Sequence, residues 1–183
     1  MKQMTSTLNY RLAGFGSILG IILSFPSFGY GFSSITHFLN PLIYKSLLLL
    51  IIIAVNYLIF MGFIHLSVKL KTRQLRRASI TLLSALIFWN LINLAKTFLE
   101  YQLVNLLAIL SFAILGIVLI LFGITLVKIP KKVSHMLKPL GILNLISGIM
   151  HVTAVLYLLV PFINIIILTI EAIFFFNLSS KKI

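Results

Sequence analysis

The sequence predicts an all-α membrane protein, a polytopic bundle of six transmembrane helices with both termini cytoplasmic. Three observations predict it. Hydrophobic residues make up 61% of the 183 and charged residues 9%, with a mean hydropathy of +1.17, which is too apolar for a water-soluble domain. Apolar stretches of about 20 residues, the length a helix needs to cross a bilayer, recur six times along the chain. Lys and Arg fall almost wholly in alternate connections between those stretches.

The first stretch, Tyr10 to Tyr30, carries Ala13, Gly16, Ser17, Gly20 and Ser24 at helical spacing, a small-residue stripe suited to close helix packing. That stripe favours a retained span over a cleaved signal peptide, whose pattern Lys2, Arg11, Ser27 and Gly29 also fit. The connection from Gly31 to Tyr44 is the longest external one and reads as a solvated loop. The second stretch, Lys45 to Val68, holds Asn56 centrally and His65 near its cytoplasmic end, and both are expected to make packing contacts. The third, Ala78 to Leu99, carries Trp89, Asn90, Asn93 and Lys96, and Lys96 pairs with Glu100 at i, i+4 spacing near the outer boundary.

The fourth stretch runs from Leu103 to Val127. Its Ile114 to Leu119 resembles Ile18 to Leu23 of the first, as an inverted three-plus-three repeat would require, but a chain this rich in Ile and Leu matches itself over six residues by chance. The fifth and sixth, Pro139 to Val160 and Pro161 to Leu178, adjoin with no polar punctuation. One helix of about 40 residues would be about 60 Å long, so two spans and a reversal near Pro161 are expected. Pro161 then occupies the first turn of the sixth helix, where its missing N–H costs nothing. No Pro-rich linker or low-complexity tail divides the chain, and residues 1–183 read as a single integral membrane domain.

Net charge is +13, and topology accounts for it. With the N-terminus inside, thirteen of the fifteen Lys and Arg are cytoplasmic, and only Lys45 and Lys96 fall outside. The basic residues lie in separate loops rather than on one face with interleaved aromatics, which excludes a nucleic-acid partner. Lys69, Lys71, Arg73, Arg76 and Arg77 form the densest cluster and are expected to meet anionic lipid head groups. The bias toward Ile, Lys and Asn suggests a prokaryotic plasma membrane.

Glu171, one of two acidic residues, stands in the middle of the sixth stretch, where a charge is costly and tends to mark function. A reversal at Pro161 would set His151 level with it near the midplane, Tyr157 level with Asn164, and Asn144 level with Asn177. On the fifth helix Gly141, Asn144, Gly148 and His151 share a face, and on the sixth Asn164, Leu168, Glu171 and Phe175 form a line. Asn90 and Asn93 would join this intramembrane polar site or bond between helices. The expected chemistry is a proton relay or cation site between Glu171 and His151, set against a purely structural clamp of the last two helices.

No enzymatic motif is present. The chain has no Cys, no Gly-rich phosphate loop, no H-E-x-x-H and no serine elbow. His37, His65, His135 and His151 fall at different depths, so one chain offers no pair of axial haem ligands, and no cofactor is expected. Two readings fit: a non-enzymatic structural or accessory bundle that joins a homo-oligomer or membrane complex, and a small proton or solute permease.

Overall fold

The computed structural model describes residues 2–28, 41–99, 102–130, 133–153 and 159–180. Among them are six helices: α1 (Lys2–Phe28), α2 (Pro41–Lys69), α3 (Arg73–Phe98), α4 (Gln102–Val127), α5 (Leu137–Thr153) and α6 (Val160–Ser180). α2, α3, α4 and α6 are long and apolar enough to cross a membrane. α5 has 17 residues, or about 26 Å of helix, and α1 includes Asn9 and Arg11. The residues from 29 to 40, most of the expected external loop, lie outside the described residues, as do Glu100 and Tyr157.

At the α2–α3 turn the backbone shows why the helix stops. α2 ends in a Schellman motif: Lys71 takes the left-handed conformation (φ 54°), its N–H bonds Val68 O at 3.2 Å, and the Thr72 N–H reaches back to Ser67 O at 3.0 Å. The chain then enters α3 without a side-chain cap, since the Thr72 hydroxyl is buried and unpaired while its carbonyl accepts from the Arg76 N–H. Pro161 sits in the first turn of α6, as the missing donor favours.

The helices pack as a ring in chain order. α4 with α5 and α1 with α6 are the most intimate pairs, α1–α2, α2–α3 and α3–α4 come next, and α5–α6 closes the ring lightly. Outward-facing residues such as Leu50, Leu106, Ile109, Ile117 and Phe162 are large and apolar. Inside, the Phe63 ring meets Phe122, Phe174 and Phe175 with centroids 5.2, 6.3 and 4.9 Å away, and Phe60 lies 5.8 Å from Phe122. These contacts bring α2, α4 and α6 together about 8 Å short of their C-terminal ends. The α2–α3 and α4–α5 connections therefore share one end of the bundle. The N-terminal part of α1 joins them there, because Tyr10 packs edge-on against His65 at 5.4 Å and stacks on Phe175 at 6.4 Å.

The ring departs from the sequence expectation of a tight hairpin between the last two spans. The small face of α5 seats on α4 instead. A Cβ on Gly123 would lie 2.6 Å from the Gly141 carbonyl oxygen, and one on Gly141 would lie 2.7 Å from that of Gly123. Gly116 and Gly148 repeat the arrangement one heptad away, at 2.8 and 2.6 Å. Two glycine pairs thus let the backbones of α4 and α5 touch, which no larger residue permits.

Candidate functional site

The register between α5 and α6 decides which polar groups meet. The Ser147 hydroxyl donates to Asn164 Oδ1 at 3.3 Å, and the Asn177 amide contacts Met136 Sδ at 3.8 Å. Antiparallel partners on one level therefore centre on residue 156, five positions before the expected reversal at Pro161. α5 is described as far as Thr153, and residues 154–158 lie outside the described residues. A pivot displaced by five residues displaces partners by ten, or about 15 Å.

The expected pair of His151 and Glu171 is consequently not formed. Glu171 comes level with residues 140 to 142, and His151 with residues 160 to 162. His151 turns toward α4: Nδ1 lies 2.7 Å from Ser147 O, and the ring stacks on Phe112 at 4.4 Å, which in turn lies 6.3 Å from Trp89. Asn144 is not level with Asn177, which is exposed. Tyr157, the proposed partner of Asn164, lies outside the described residues, and Asn164 accepts from Ser147 instead.

Glu171 is 4% exposed and has no hydrogen bond or ion pair among the described residues. The line of α6 residues that carries it spreads over several neighbours rather than α5 alone. Asn164 reaches α5, Leu168 fills the space over Gly20 of α1, and Phe175 packs against Tyr10, Gly62 and Phe63. Gly14 and Gly20 of α1 face Phe176 and Leu168, so Ser17, fully buried between them, is level with residues 171 to 173. The Ser17 hydroxyl is already committed to Ala13 O at 3.1 Å.

Of the remaining buried polar groups, Ser67 and Ser79 flank the α2–α3 turn, while Asn144, His151 and Asn90 lie toward the other end. Asn144 is buried and its amide donates to Leu140 O at 2.9 Å. Asn90 is buried with its amide on Leu86 O at 2.8 Å, and Asn93 donates to Trp89 O at 2.8 Å. Asn90 and Asn93 thus satisfy their own helix, a common fate of such residues in α3-like apolar helices. His65 makes the packing contact expected of it, with Asn9 Nδ2 3.5 Å from Nδ1. Lys69, Lys71, Arg73, Arg76 and Arg77 are all exposed around the α2–α3 turn, and Arg11, Lys128 and Lys138 are exposed at the same end. Among the described residues no three His, Asp or Glu converge as a metal site would need.

The α4–α5 glycine rail is the feature that sequence reasoning missed. Its signal was present: Gly116 and Gly123 are seven apart, and so are Gly141 and Gly148 on the next helix. Compared with family models, curated proteins and solved structures, the chain matches none of them.

Proposed function

We propose that this protein is a non-enzymatic integral membrane bundle, an accessory subunit whose helices span the bilayer six times with both termini in the cytoplasm. The observation that carries this reading is the filled centre, where Phe60, Phe63, Phe122, Phe174 and Phe175 interlock and α4 and α5 touch backbone to backbone. Such packing suits a rigid scaffold and opposes a continuous path between the two ends. The orientation follows from the exposed basic residues gathered at one end, which suit the cytoplasmic face and its anionic lipid head groups. α1 and α5 complete the six spans, since about 26 Å of α5 nearly covers an apolar thickness of about 30 Å.

A permease reading retains one supporting observation, the buried carboxyl of Glu171 without a hydrogen-bond or ion-pair partner among the described residues. Proteoliposomes loaded with a pH-sensitive dye separate the two. The scaffold reading expects dye responses to an imposed proton or solute gradient to equal those of protein-free vesicles. A protein-dependent flux that Glu171→Gln abolishes would overturn it.

A further inference from the structure

α3 has two contrasting faces. Leu75, Ser79, Leu82 and Asn90 are buried against the bundle, and the exposed side chains between Arg73 and Leu91 fall within roughly 160° of arc on the opposite side. The chemistry of this exposed stripe changes in order along the axis. Arg73, Arg76 and Arg77, spaced i, i+3 and i+4, gather three guanidinium groups at the basic end. Thr81 and Ser84 follow about 6 and 10 Å beyond Arg77. Ile80, Phe88 and Leu91, each 43 to 51% exposed, carry the stripe into the apolar run. The two hydroxyls differ from others on the outer surface of the helices. Thr125, Thr153 and Thr169 each donate to the carbonyl four residues back at 2.8 to 2.9 Å, whereas Thr81 and Ser84 make no hydrogen bond among the described residues.

We infer that the exposed face of α3 binds one anionic phospholipid, with its phosphate on Arg73, Arg76 and Arg77, its glycerol esters accepting from Thr81 and Ser84, and an acyl chain along Ile80, Phe88 and Leu91. The order of groups down the stripe is the order of groups in such a lipid from head to tail. Guanidinium forks match phosphate oxygens bidentately, which the ammonium of a neighbouring Lys does not. The polar layer between phosphate and hydrocarbon is about 5 to 7 Å deep on each side of a bilayer, and the step from Arg77 to Thr81 spans it. α3 carries no acidic side chain to compete for its arginines. A hydroxyl open beside hydrocarbon is costly until a partner arrives from outside the chain, and an ester carbonyl is the acceptor that lipid offers at that depth. The inference rests on the reading of the basic end as the face that meets anionic head groups, and it turns a diffuse attraction into one defined contact.

Native mass spectrometry of the detergent-solubilised protein, titrated with phosphatidylglycerol or with phosphatidylcholine of equal chain length, tests the site. The measurement involves neither flux nor orientation, so its failure leaves the scaffold reading where it stands. Phosphatidylglycerol should bind about tenfold or more tightly than phosphatidylcholine. The triple variant Arg73→Gln, Arg76→Gln, Arg77→Gln should lose affinity on the order of a hundredfold. The triple variant Arg11→Gln, Lys128→Gln, Lys138→Gln removes the same charge from the same end and should lose less than about threefold at physiological ionic strength. Thr81→Val with Ser84→Ala should weaken binding about three- to tenfold. Equal losses in the two triple variants overturn the proposal, as do equal affinities for the two lipids or full displacement by glycerol 3-phosphate at the lipid's own concentration. Where the arginine variant does not fold, hydrogen exchange of the wild-type protein decides. Phosphatidylglycerol should slow exchange in the first turns of α3 and not in those of α5, and equal slowing, or none, overturns the site.

Discussion

α5 has two neighbours in the ring, and it treats them differently. Against α4 it presents Gly141 and Gly148, and the two backbones meet. Against α6 it makes the lightest of the ring contacts among the described residues, marked by the hydrogen bond from Ser147 to Asn164. Both partners are antiparallel and adjacent in sequence. Side-chain size explains the contrast: in an apolar solvent helices gain little from burying Leu or Ile against each other, and close approach through small residues supplies the attraction instead.

Filling the glycine rail is the strongest way to break this contrast. Gly123→Leu places its Cβ against the Gly141 carbonyl and the Leu145 backbone N, which cannot rotate aside. The loss should exceed the roughly 1–3 kcal/mol of ordinary overpacking and prevent a monodisperse fold. Size-exclusion chromatography of the solubilised variant reads this directly, and a wild-type elution profile would mean that α4 and α5 are not in backbone contact.

The register of the lighter seam is open to an all-or-none measurement, because the chain has no Cys to confuse cross-linking. A Ser147→Cys, Asn164→Cys double variant should form an intramolecular disulfide on mild oxidation. A His151→Cys, Glu171→Cys variant should not, since ten residues of offset leave the pair about 15 Å apart in depth. The opposite pattern would restore the reversal at Pro161.

That reversal shows what the sequence could and could not reveal. α2, α3 and α4 were legible because each apolar run is bounded by charged or polar residues, and the start of α6 was legible because the chemistry of Pro161 suits a first turn. The register between α5 and α6 was not. Between Thr153 and Pro161 the chain reads Ala, Val, Leu, Tyr, Leu, Leu, Val, with no Gly, charge or amide to mark a stop. The inward position of Glu171 was legible from composition, since a carboxylate avoids lipid, but its neighbours depended on a register that no residue in this run encodes. The face of α5 was identified by its small and polar residues, and its partner was missed because the heptad glycines of α4 sit among Ile and Leu.

Where a glycine meets a flexible side chain rather than backbone, the same substitution should be mild. A Cβ on Gly20 would stand 3.2 Å from the Leu168 methyl groups, which can shift by a few tenths of an ångström. Gly20→Ala should therefore change stability by less than about 1 kcal/mol, with the gain in helix propensity offsetting part of the crowding. Gly148→Ala faces the Gly116 carbonyl at 2.6 Å and should cost more. Paired unfolding titrations of the two variants check the order, and equal costs would remove the distinction between a backbone wall and a side-chain wall.

The smallest effect belongs to the polar bridge itself. Ser147→Ala removes the hydroxyl that donates to Asn164 Oδ1, a bond of 3.3 Å at the long end of the usual range. Interhelical hydrogen bonds in bilayers are worth about 0.6 kcal/mol on average, and the long distance places this one no higher. A double-mutant cycle with Asn164→Ala isolates the pairwise contribution from the loss of either side chain alone. A coupling near zero would leave α5 held to the bundle almost wholly through its glycines, whereas a coupling well above about 1 kcal/mol would make the lighter seam a second anchor and erase the asymmetry between the two faces of α5.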